Sequence, residues 1–150
     1  MQPFDKEYVC DIAKQILNID SPTGYTKRAI DFMDEEAKKL GYTTGRNQKG
    51  NLLIYVDGKD SEHTLGLSAH LDTLGLMVRS IKDNGKLAIT KVGGPCLPTL
   101  DGEYCKIYTR DGKVYTGTIL SCSPSVHVYP DASTSVSYTH LRAHETSQDL

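Results

Sequence analysis

The chain has 150 residues, 38% of them hydrophobic and 24% charged, with a formal net charge of −2. That length supports a domain with a real core, and the charge balance gives no bias toward nucleic acid or an anionic membrane surface. No apolar stretch approaches a membrane span. The opening Met1-Gln2-Pro3-Phe4-Asp5-Lys6-Glu7 lacks the charged-then-apolar layout of a signal peptide, so a cytoplasmic location is the expectation.

The first predicted element is a helix with Asp5 as N-cap. Tyr8, Val9, Ile12, Ala13, Ile16 and Leu17 recur at helical spacing, and the helix should end near Ile19. Ser21-Pro22-Thr23-Gly24 follows as a turn-rich stretch. A second helix carries Ala29, Ile30, Phe32, Met33, Ala37 and Leu40 on one side, with Lys38 and Lys39 in its last turn and Gly41 as its stop. The pattern then changes to strands: Leu52 to Val56, closed by Asp57-Gly58, and Thr64 to His70. Two hairpins are predicted next. Leu74 to Ile81 and Lys86 to Val92 flank Asp83-Asn84-Gly85, while Tyr104 to Thr109 and Lys113 to Leu120 flank Arg110-Asp111-Gly112. Gly93-Gly94-Pro95 lacks the spacing and following helix of a phosphate loop and reads as a tight turn or bulge. Two helices with buried strands followed by a β-rich block indicate a change of domain after Asp72.

The residues that point to chemistry are His70 and Asp72. On a strand they project to the same side. A neutral imidazole is a good ligand for zinc or a similar divalent ion, and a carboxylate two residues on can hold that imidazole in place. A solvated strand-end His and Asp would give the same pattern, so context decides. His63 sits in a polar loop and reads as solvated, and His127, between Val126 and Val128, reads as a strand residue. The four cysteines, Cys10, Cys96, Cys105 and Cys122, form no Cys-x-x-Cys pair. They read as reduced, small and mostly buried residues.

Taken in order, several segments resemble metallopeptidase family forty-two, the tetrahedral or deblocking aminopeptidases, often labelled glutamyl aminopeptidase or cellulase M. The matching segments are Ser21-Pro22-Thr23-Gly24, Asn51-Leu52-Leu53, Ser68-Ala69-His70-Leu71-Asp72, Leu74-Gly75-Leu76-Met77-Val78, Val92-Gly93-Gly94 and Ser125 to Ala132. The resemblance spans Phe4 to Ala132. It implies an α/β fold: the start of a dinuclear-metal aminopeptidase catalytic domain, with helices and a mixed sheet, interrupted by an inserted β-barrel-like domain used in assembly. Residues 1–73 would open the catalytic domain and residues 74–132 would begin the insertion. The resemblance also implies that His70 is a metal ligand and Asp72 the catalytic carboxylate supporting it. Two divalent metal ions, zinc or cobalt, would polarise the scissile carbonyl and activate water. The remaining ligands and the general base would come from later segments. Peptide substrates and a homo-oligomer are implied for the complete protein, with no nucleic acid or membrane partner.

Thr73 departs from the pattern, since the family usually has an acidic residue there. His-x-Asp-Thr is familiar from the related dipeptidases and deacylases, which keeps an amide-hydrolase alternative open. A non-catalytic β-rich assembly module is the alternative from another class. A cellulase role lacks a singled-out pair of carboxylic acids.

After Ala132 the sequence changes character. Val136 to Glu145 can be encoded as a transposase-type library adapter, so residues 133–150 are expected to be a non-native tail. His140 and His144 have helical metal-site spacing, but Leu141 stands where that motif needs a glutamate. The chain by itself is expected to be inactive and poorly stable, with strands whose edges lack their later partners.

Overall fold

The computed structural model describes residues 5–60, 62–120 and 140–144. The chain divides into two compact units, Met1–Leu74 and Gly75–Leu150.

In the first unit, α1 (Lys6–Leu17) is capped by Asp5, whose carboxylate accepts the Tyr8 backbone N–H at 3.0 Å. This helix has no buried residue. The second helix, α2 (Lys27–Lys39), buries Ala29 and Ala37. It ends on Gly41 at φ 85, a left-handed position that glycine fills without steric cost. The Gly41 N–H donates to Lys38 O and the Tyr42 N–H to Ala37 O, which satisfies two carbonyls of the last turn.

Two short strands follow, β1 (Thr43–Arg46) and β2 (Leu52–Tyr55), paired antiparallel. Polar contacts tie β1 to α2. The Thr44 hydroxyl donates to Asp34 at 2.6 Å, and Arg46 reaches Asp31 at 2.7 Å and Asp34 at 3.1 Å. These donors, with Lys38, hold the Asp34 carboxyl down to about 2, the Thr44 hydrogen bond being the largest cause.

The expected strand from Thr64 to His70 does not form. A strand exists only where a neighbour supplies a hydrogen-bond ladder, and β2 pairs only with β1 among the described residues. Leu65 and Leu67 are accordingly 84% and 91% exposed. Leu53, Ile54 and Tyr55 on β2 are exposed as well. Among the described residues, unit one holds a two-stranded antiparallel sheet.

The second unit begins with β3 (Gly75–Ile81) and β4 (Leu87–Val92), an antiparallel pair with a bulge between Val78 and Ser80. Its turn closes with Lys82 N–H to Lys86 O and Gly85 N–H to Lys82 O, both 2.9 Å, and Gly85 takes φ 75. Then come a short 3₁₀ turn, Leu97–Leu100, and the hairpin of β5 (Tyr104–Tyr108) and β6 (Val114–Leu120). The strand β7 (His140–His144) pairs with β4 and β6, giving a five-stranded antiparallel order β3-β4-β7-β6-β5. Ile89 and Ile119 form its buried core, with Leu76, Leu87, Leu100, Cys105 and Ile107 packed against them.

His140 and His144 lie on a strand, so helical i, i+4 spacing does not apply to them. Strand β7 lies within residues 133–150. The expectation of mostly buried cysteines is corrected: Cys10 and Cys96 are exposed and Cys105 is half-buried, and α1, which carries Cys10, has no buried residue. Cys122 and His127 lie outside the described residues.

Candidate functional site

His70 and Asp72 come together although no strand carries them. His70 Nδ1 lies 3.1 Å from Asp72 Oδ1 and 3.1 Å from the Asp72 backbone oxygen. The imidazole is 85% exposed and the Asp72 side chain 37%. With Nδ1 turned inward to an acceptor, Nε2 is the nitrogen on the outer side of the ring. A neutral imidazole whose Nδ1–H is held by a carboxylate presents the Nε2 lone pair, the arrangement metal-binding histidines use.

What seats this pair is the turn after α1. The Ser21 hydroxyl donates to Leu71 O at 2.9 Å, and the Thr73 N–H donates to Ser21 O at 2.9 Å. Pro22 and Thr73 thereby form an isolated parallel bridge. Ser21 is 1% exposed, the most buried polar residue described. The Thr23 hydroxyl donates to Asp72 Oδ2 at 2.6 Å. Both carboxylate oxygens of Asp72 are therefore engaged, one by Thr23 and one by His70. The Thr23 hydrogen bond is the first cause holding the Asp72 carboxyl below its ordinary value; partial desolvation opposes it, and the neighbouring His70 ring adds to the lowering.

Sequence reasoning found His70 and Asp72 but assigned no role to Ser21 or Thr23. The contact spans 49 residues and follows no periodicity. The available signal was a hydroxyl on either side of Pro22 in a stretch already matched to the family. His63, expected to be solvated, is 83% exposed and faces Asp60 at 2.7 Å.

A single imidazole with an orienting carboxylate fits one position of a metal site. Among the described residues no group of three or more His, Cys, Asp or Glu could hold a metal ion. The donor set here is thus a fitting part of a metal centre and not a whole one.

A model of the M42 glutamyl aminopeptidase family matches residues 50–145, the greater part of the chain. The chain belongs to this family. A putative aminopeptidase of Bacillus subtilis, YhfE, is 44% identical over 122 residues, covering 81% of this chain and 35% of that protein. The aminopeptidase of Desulfurococcus kamchatkensis superposes with a TM-score of 0.76 at 24% identity, over 95% of this chain and 39% of that one, which shows the fold. The TET1 peptidase of Pyrococcus horikoshii superposes with a TM-score of 0.63 at 25% identity, over 89% of this chain and 39% of that one. That peptidase can assemble into a tetrahedron or a large octahedral shell. The chain thus spans little more than a third of the relatives it matches. Among the described residues no helix is long and apolar enough to cross a membrane.

Proposed function

We propose that the protein carrying this segment is a metal-dependent aminopeptidase that releases N-terminal residues from peptides. The observation that carries the reading is the His70–Asp72 pair, seated on the Ser21–Thr23 turn and falling within the family match. His70 would bind one of two divalent ions, zinc or cobalt, through Nε2, and Asp72 would hold the ring by Nδ1. When bound, the ions polarise the scissile carbonyl and activate a water. What this segment contributes is positional: an imidazole on the outside of a loop whose backbone is locked from below by Ser21 and Thr73.

Residues 1–73 would form the first part of an α/β catalytic domain built around two metals, and residues 74–132 the start of an inserted β-barrel-like domain. The adapter-like reading of residues 133–150 remains a proposal about the coding DNA, checked by long-read resequencing across Ala132. The complete protein would act in the cytoplasm as a homo-oligomer, a reading supported by the shells that the Pyrococcus horikoshii relative forms. Alone, these 150 residues would be poorly stable and turn nothing over, since one imidazole and one supporting carboxylate do not close a two-metal site.

The test is turnover of aminoacyl-anilides by the full-length protein, stripped of metal and reloaded with zinc or cobalt. The reading expects activity that needs the metal and is lost in His70→Ala. A well-folded full-length protein inactive on a panel of aminoacyl-anilides with either metal would overturn it.

A further inference from the structure

We propose that Thr23 is a positioning residue for the metal ligand: acting through Asp72, its hydroxyl fixes the His70 ring so that Nε2 faces outward. This inference rests on the reading of His70 as a ligand given above.

The terminal torsion of an aspartate is broad, so a carboxylate held at one oxygen can swivel. Asp72 is held at both. Thr23 donates to Oδ2 at 2.6 Å, a length typical of a hydroxyl bound to a charged carboxylate. Oδ1 is then the oxygen left for the imidazole, at 3.1 Å. The His70 side chain is 85% exposed, so little packing fixes the ring, and its orientation depends on the two acceptors that face Nδ1, the Asp72 backbone oxygen and Asp72 Oδ1, each at 3.1 Å; only the second can swivel. Thr23 in turn is well placed to act as an anchor. It is β-branched, with a restricted χ1. Its backbone is held in register with Asp72 by the two hydrogen bonds that Ser21 makes on either side, to Leu71 O and from Thr73 N–H. The Thr23 hydroxyl and the His70 imidazole thus meet on the two oxygens of one carboxylate, beside a backbone bridge that Ser21 holds to Leu71 and Thr73.

The experiment measures zinc affinity of the full-length protein by competition with a chelator after metal stripping. Loss of an outer partner of a metal ligand typically weakens binding about 10–100-fold. Thr23→Val should weaken zinc by about 10-fold, the lower end of that range, because Asp72 itself stays in place. Thr23→Ala should match it, which guards against a fault peculiar to valine, and Thr23→Ser should restore affinity. The decisive comparison is the Asp72→Ala background. There Thr23→Val should have no further effect, because its route to His70 is gone. If Thr23 served only to hold the loop together, it would weaken zinc by the same factor in both backgrounds, and the proposal would be overturned. Unchanged affinity in Thr23→Val and Thr23→Ala, with zinc lost in His70→Ala, would also overturn it while leaving the functional reading intact. Zinc binding unaffected by His70→Ala would overturn both.

Discussion

Ser21→Ala tests the seat of the site. Ser21 is 1% exposed, and its hydroxyl is the donor to Leu71 O at 2.9 Å. Alanine keeps the backbone and removes that donor alone. A net hydrogen bond is worth about 1 kcal/mol, rising toward 1–3 kcal/mol where the abandoned acceptor is hidden from water. Leu71 is half-buried, so a local cost of about 1–2 kcal/mol is expected, equivalent to a factor of roughly 5–30 in the opening equilibrium. The change should be read where it acts. The Thr73 N–H donates to Ser21 O across the same bridge, so its exchange with solvent reports opening of the turn. Hydrogen–deuterium exchange with mass spectrometry on peptides spanning Leu71 to Thr73, in the metal-free full-length protein, should show faster exchange by about that factor. The β5–β6 hairpin should not change. Unchanged exchange at Leu71 to Thr73 would refute the claim that Ser21 locks the loop, and equal acceleration in β5–β6 would show a global effect instead.

Two further outcomes are expected. In Thr44→Val the largest cause of the low Asp34 value is removed, so an NMR titration should find Asp34 well above about 2. The sign follows from linkage: an aspartate depressed below its ordinary 3.8 stabilises the fold above that value and loses the contribution as pH falls toward about 2. Thr44→Val should therefore shrink the acid-dependent loss of stability in that window, and an unchanged Asp34 titration would contradict it. Ile119→Ala opens a cavity where a 4%-exposed side chain packs with Ile89. It should cost about 2–5 kcal/mol in urea unfolding, against about 0.5 kcal/mol or less for Tyr104→Ala at an 84%-exposed position.

Local chemistry made much of the fold legible. Asp5 and Gly41 mark helix ends because a cap and a left-handed stop are local events. Asn84-Gly85 and Asp111-Gly112 mark hairpins for the same reason. Elements decided by distant partners were not legible. Thr43–Arg46 carries no apolar alternation, yet it forms β1 because Leu52–Tyr55 pairs with it and α2 supplies Asp31 and Asp34. Thr64 to His70 has a strand's composition and no ladder partner among the described residues. The site divides in the same way. His70 and Asp72 are neighbours in sequence and could be read there, whereas Ser21 and Thr23 reach them only after the turn folds back across some fifty positions.

The most direct test of the central claim is anomalous diffraction at the zinc edge from crystals of the metal-loaded full-length protein. The account predicts a zinc ion about 2.0–2.1 Å from His70 Nε2, with Nδ1 still facing Asp72. A metal centre that leaves His70 unligated, or that binds Nδ1 and displaces Asp72, would contradict it.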